Sequence, residues 1–225
     1  MRTTKRSRFL VPTLLGFISL ATVVEADAST VKNIASRAER SCLVLEWMDP
    51  HELLPAGERW MAKETTRILG DADIRARWDW SRARGDSGSA PPGEHRLRVV
   101  LLPSEPSGPG WRLQANTLGA TAVDGRVAPP AVYIFYKSVV AMLGLRERPR
   151  KLPDTYFLGR ASRAFGRVVA HEVAHAIAPG EPHARDGLMQ GGLEPAFLTA
   201  KGDVKIDAQW RHVLAQGMSR LCTKR

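Results

Sequence analysis

Apolar residues recur along the chain with two different periods. Over residues 55–69 (PAGERWMAKETTRIL), Trp60, Met61, Ile68 and Leu69 fall on one helical stripe, with Pro55 near the start and Gly70 at the end. Over 73–80 (DIRARWDW), Ile74, Ala76, Trp78 and Trp80 alternate with Arg75, Arg77 and Asp79, the pattern of a half-buried strand. The run LRVVLL at 97–102 reads as a buried strand. Two more strands are expected at 117–123 (TLGATAV) and 131–136 (AVYIFY), around turn signals at Asp124-Gly125 and Pro129-Pro130. Residues 137–145 fit a short helix, and 158–177 carry the strongest helical pattern in the chain. A last amphipathic helix is expected near 205–216, with Ile206, Trp210, Val213 and Leu214 as its stripe. Residues 29–52 read as a helix or an extended lead-in. Gly, Ser and Pro mark 81–95 and 103–110 as loops, and 146–155 is a basic linker containing proline. The order helix, strands, helix, loop, helix implies an α+β fold with one sheet backed by helices.

The N-terminus departs from this pattern. Lys5, Arg6 and Arg8 precede an apolar stretch from Phe9 to Val24, and Ala26-Asp27-Ala28 follows as a small-x-small cleavage site. Residues 1–28 therefore read as a signal peptide for the general secretory route, and 29–225 as one mature domain. The stretch is short for a membrane span, and a retained anchor helix is the rival reading. After cleavage no stable membrane span is expected, and the protein is placed in the periplasm or outside the cell. In that oxidising setting Cys42 and Cys222 are expected to form one disulfide joining the ends of the domain. In the chain-entropy model so long a loop gains roughly 4–5 kcal/mol. The rival is Cys42 as a metal-bound thiolate in a latent form, but the flanking residues of such an inhibitory segment are absent.

With 44% hydrophobic and 25% charged residues, the 225-residue chain is globular, neither disordered nor fibrous. Its formal net charge of +10 becomes +8 once the four basic and two acidic residues of the leader are removed. That balance favours anionic surfaces or polymers as partners, or is simply a solvated basic surface. No nucleic-acid-binding motif is present, so nucleic acid is not an expected partner.

Residues 171–175 read His-Glu-Val-Ala-His. On a helix, positions i and i+4 share a face, so His171 and His175 can offer one ring nitrogen each to a single ion. Glu172 neighbours them and can take a proton from a water on that ion. The motif fixes only three positions, and its weight comes from context. The helix has an apolar side at Phe165, Val169, Val173, Ala176 and Ile177, and Ala178-Pro179-Gly180 then breaks it. A catalytic zinc needs a third protein ligand, and Glu181 and His183 both follow closely.

The run HEVAHAIAPGEPHARDGLM resembles the metzincin group of zinc peptidases (matrixin-like, astacin-like and archaemetzincin-like enzymes). Their pattern is a zinc helix, a glycine turn, a third His and a methionine in a tight turn beneath the metal. It is more similar still to secreted bacterial proteins of matrixin-like character, in which a later third His is trailed by Gly-Ile-Met or Gly-Leu-Met. The resemblance implies that His171, His175 and His183 hold one Zn2+, that Glu172 is the general base, and that Met189 forms a hydrophobic floor. It also implies a metzincin-like zincin domain: a twisted, mostly parallel sheet with an antiparallel edge strand, an active-site helix and a C-terminal helix. LGATAV at 118–123 matches the edge strand along which such enzymes lay an extended substrate, although an ordinary core strand reads the same way. The specific likeness covers residues 165–190. It departs from the pattern at two places: Ala178 stands where glycine is usual, and Glu181 stands where the third His is usual. Glu181 thus stays open as the third ligand, and Gly180 can supply the turn.

The leading expectation is a secreted zinc endopeptidase acting on peptides or proteins. The alternatives are a non-catalytic metal-containing binding or adhesion module, for which Arg84-Gly85-Asp86 is the sequence hint, and a cell-wall hydrolase. His51, His95 and His212 are isolated and read as surface or packing residues, and the six tryptophans as core or cleft-wall residues.

Overall fold

The computed structural model describes residues 42–81, 94–108, 111, 113, 116–122, 130–145 and 155–223. The expected leader at 1–28, the Arg84-Gly85-Asp86 segment, the expected turn at Asp124-Gly125 and most of the basic linker lie outside the described residues. The elements are β1 (Leu43–Met48), α1 (Glu58–Gly70), β2 (Ala76–Asp79), β3 (His95–Leu102), β4 (Gly119–Ala122), β5 (Ala131–Phe135), α2 (Tyr136–Met142), α3 (Thr155–Ile177), α4 (Pro195–Thr199) and α5 (Ala208–Thr223).

The strands form one five-stranded sheet in the order β2-β1-β3-β5-β4. β1 pairs in parallel with β2 and β3, and β3 in parallel with β5. β4 runs antiparallel to β5 and closes one end of the sheet, with Gly119 opposite Ile134 and Ala122 opposite Ala131. The fold is therefore α+β with a mixed, mostly parallel sheet. Leu45, Trp47, Leu97, Val99, Leu101, Val132 and Ile134 join one hydrophobic core with Met61 and Ile68 of α1 and Phe165, Val169 and Val173 of α3. Alternate residues of a strand share a face, so this set defines the sheet face that meets the helices.

Two expectations change. Residues 43–48, read as part of an uncertain lead-in, are β1, a strand between β2 and β3. Five of its six residues are buried, Glu46 included, and Arg96 Nη1 neutralises that carboxylate at 2.7 Å. Trp60, placed on the apolar stripe of the first helix, is 60% exposed. The buried stripe of α1 is Met61, Ala62, Thr65, Ile68 and Leu69, and at about 100° per residue Trp60 stands roughly 140° round from its centre. Thr65 ties α1 to α3 by donating its hydroxyl to the carbonyl of Met61 or of Gly166, at 3.0 and 3.1 Å.

Cys42, just before β1, is disulfide-bonded to Cys222 in the last turn of α5, across a sequence separation of 180 residues and a Cα–Cα distance of 5.8 Å. The thiolate reading of Cys42 falls with it. Among the described residues no helix is long and apolar enough to cross a membrane.

Candidate metal centre

Helix α3 carries the HEVAH run in its last two turns. Val168, Val169, Val173 and Ala174 anchor it in the core, while His171 and Glu172 are buried at 7% and 8% exposure. The helix ends at Ile177 because Pro179 has no amide hydrogen to continue the ladder. Gly180, at φ +83°, then turns the chain back, as the sequence suggested.

The returning chain closes on itself. The Ala184 amide donates to the Met189 carbonyl at 2.8 Å, and the Leu188 amide to the Lys205 carbonyl at 2.9 Å. Gly187 sits at φ +75°, and a Cβ there would meet the Lys205 carbonyl oxygen at 2.5 Å, so the turn admits no side chain at that position. Leu188 and Met189 are both buried. The turn's direct polar contribution to the histidines is main-chain: the Leu188 carbonyl lies 2.8 Å from His171 Nδ1. A carbonyl only accepts, so Nδ1 carries the proton and His171 Nε2 keeps its lone pair free.

His171, His175 and His183 come together, one ligating nitrogen of each lying within 4.8 Å of the others. His175 Nε2 and His183 Nε2 are 3.1 Å apart, close to the ~3.3 Å edge of a tetrahedron of nitrogens at about 2.0–2.1 Å from a zinc ion. The Trp210 ring of α5 stands edge-to-face against His175, centroids 5.5 Å apart. Glu181 is not a member of this cluster; the chain brings His183 to it instead. Burial above all, with the other imidazoles' positive charge adding to it, pushes the pKa of His171 and of His175 down to about 4. Both rings are thus neutral at pH 7, the state a metal requires. The donor set, the tautomer and the spacing all fit zinc.

Glu172 points toward the sheet. Burial pushes its pKa up to about 7, against the Thr121 hydroxyl, which lies 2.8 Å from Oε2 and holds the pKa down. The approach is possible because residue 119 is glycine: a Cβ there would stand 2.8 Å from Glu172 Cγ and 2.9 Å from the Tyr133 carbonyl oxygen. Histidines and carboxylate line a cleft of about 580 Å3, whose apolar walls include Leu118, Met142, Val168 and Leu193, with Asn116 and Glu194 as polar lining. Thr117, Leu118 and Gly119, leading into and starting β4, form one wall.

Thr121 and the Leu188 carbonyl were not identified from the sequence. They act across separations of 51 and 17 residues, for which no local pattern exists.

No protein-family model matches the chain, and no curated protein matches it. Among solved structures it is similar to an archaemetzincin from Methanopyrus kandleri, at 14% identity and a TM-score of 0.47, over 81% of this chain and 98% of that one. It is also similar to a zinc-dependent peptidase from Methanocorpusculum labreanum, at 12% identity and a TM-score of 0.47, over 76% of this chain and 99% of that one. Both likenesses are distant, and the chemistry of the site rests on its own geometry.

Proposed function

We propose that this protein is an exported zinc-dependent endopeptidase, with His171, His175 and His183 as the zinc ligands and Glu172 as the general base. The observation that carries the reading is the convergence of three imidazole nitrogens within 4.8 Å at the floor of a cleft that Glu172 also lines. Three protein ligands leave a fourth position open, which separates a catalytic zinc from a structural one. Zinc held there would supply Lewis acidity toward water and toward a substrate carbonyl.

The chain's own groups do the rest. Glu172 accepts the proton of the attacking water at its carboxylate and returns it to the departing amine nitrogen. Burial of Glu172 removes its carboxylate from bulk water, which strengthens its interaction with neighbouring charge. β4 ends the sheet, so an extended substrate can pair with it as an added strand, its scissile carbonyl carried toward the histidines. Peptide or protein chains are the substrate class that this edge suits. The spacing of His183 and the Gly187-Leu188-Met189 turn favour the matrixin-like bacterial group, with Met189 as the turn methionine. Export through a leader at 1–28 is supported by the Cys42–Cys222 bond, which persists in an oxidising compartment.

The test is metal analysis of the purified mature chain together with a Glu172→Gln variant. The variant is expected to bind zinc as wild type does and to lose at least about 100-fold in kcat, the low end of what a positioned acid–base group contributes. Equal cleavage of a peptide library by the two proteins rejects the reading.

A further inference from the structure

Thr121 stands on β4, 51 residues before the HEVAH glutamate, yet its hydroxyl lies 2.8 Å from Glu172 Oε2 and 2.9 Å from the Glu172 main-chain carbonyl. A hydroxyl has one proton to give. Glu172 lies in the last two turns of α3, still four residues ahead of a helical amide that its carbonyl can accept, whereas the carboxylate is buried and forms the stronger, charge-assisted bond. Two residues back on the same face of the strand, Gly119 leaves open the space that Glu172 Cγ fills. The strand therefore both makes room for the glutamate and ties down one of its oxygens.

From this juxtaposition we infer that Thr121 is a positioning residue for the hydrolytic step: its hydroxyl fixes Glu172 Oε2, so that Oε1 is presented as the base. The inference rests on the reading of Glu172 as general base. It adds that the strand edge suited to bind substrate and the group that orients the base belong to one four-residue element, so the two are placed by the same backbone. No bond to Thr121 is made or broken in the reaction.

The test uses the full mature chain, loaded with zinc, as wild type, Thr121→Val and Thr121→Ser. Valine keeps the shape and removes the hydroxyl; serine keeps the hydroxyl. T121V is expected to lose about 10- to 100-fold in kcat, the usual effect of removing a group that orients an active-site residue, with KM changed by less than about twofold and zinc content unchanged. T121S is expected to recover most of that loss. A second readout needs neither metal nor turnover. In protein carrying 13C-labelled glutamate, the Glu172 carboxyl resonance is identified by its absence in E172Q. At alkaline pH it is expected to move in T121V and to stay in place in T121S.

A resonance unmoved in T121V overturns the inference, as does a loss in T121V that appears as KM or that serine fails to recover. If T121V does not fold, T121A carries the same measurements; if neither folds, the hydroxyl is structural and the inference is overturned. A wild-type protein that binds zinc but cleaves nothing defeats the peptidase reading alone, since the carboxyl resonance still decides whether Thr121 holds Glu172.

Discussion

Gly119→Ala is the substitution for which the structure gives the sharpest expectation. One methyl group is added on β4, where its nearest neighbours are Glu172 and Tyr133 rather than a proposed metal ligand. Its carbon would lie 2.8 Å from Glu172 Cγ, 3.2 Å from Glu172 Cδ and 2.9 Å from the Tyr133 carbonyl oxygen. Carbon atoms in contact rest at about 3.5–4.0 Å, so the shortfall is roughly 0.7 Å or more. The Tyr133 carbonyl belongs to β5 and cannot retreat without opening the β4–β5 ladder. The glutamate side chain must give way, or the edge strand must. Overpacking of this kind costs about 1–3 kcal/mol, which lowers the melting temperature by about 2–4 °C per kcal/mol in a domain of this size. The larger effect is expected on rate. A displacement near 1 Å of a catalytic group costs on the order of 100-fold, so kcat should fall far more than stability does. Steady-state peptide cleavage, thermal unfolding and zinc content, measured on the same preparation, separate these effects. A G119A protein that binds zinc and keeps kcat within about twofold of wild type refutes the placement of Glu172 against β4.

Other expectations concern the scaffold. Arg167 is buried on α3 and donates to Glu64 at 3.1 Å, to the Phe197 carbonyl, and to the Ala200 and Gly202 carbonyls at 2.9 and 3.1 Å. Arg167→Met would strand the three carbonyl acceptors, while Glu64 keeps its pair with Arg67 at 3.1 Å, a loss of about 1–3 kcal/mol by thermal or denaturant unfolding; an unchanged midpoint would show that the carbonyls are solvent-satisfied. Cys222→Ser opens a loop whose ends lie 180 residues apart, and loses about 5 kcal/mol in the chain-entropy model, read as a drop in denaturation midpoint; an unchanged midpoint would place the constraint elsewhere. Acid stability follows from Glu64. Burial raises its pKa, but the hydrogen bonds and charges of Arg67 and Arg167 outweigh burial and leave it below the ordinary value. A carboxyl lowered in the folded state stabilises it above the unfolded pKa of about 4.3, and that contribution disappears as pH falls through the folded value. Glu64→Gln should therefore flatten the acid limb of the stability curve below about pH 4.3; an acid limb as steep as wild type's would contradict the assignment.

What the sequence disclosed, and what it hid, divides along the range of the interactions. The HEVAH helix was readable because its two histidines lie one turn apart and its apolar side follows the same period. β3 and β5 were readable as apolar runs. β1 was not, because Glu46 interrupts the apolar run, and the partner that permits its burial, Arg96, lies 50 residues away. Helix α4 spans five residues, too few to show any period. Trp60 misled because a bulky apolar residue next to a stripe reads as part of it. At the site, the choice between Glu181 and His183 was open in the sequence because both lie within reach of a short returning loop. The turn at Gly180 and the hydrogen-bonded return through Ala184 decide where the loop places its side chains, and they bring His183 to the other two imidazoles. Thr121 and the Leu188 carbonyl could be found only once strand and helix were set side by side.

The central claim is that three imidazoles clasp one zinc ion and leave one position open. X-ray absorption at the zinc edge, with the metal content measured on the same sample, tests it most directly. The mature chain is expected to hold one zinc with nitrogen donors at about 2.0–2.1 Å and a water-like oxygen completing four. His183→Ala should lose one nitrogen donor, while Glu181→Gln should leave the spectrum unchanged. A chain that takes up no zinc, or a spectrum that responds to Glu181→Gln and ignores His183→Ala, would contradict the account.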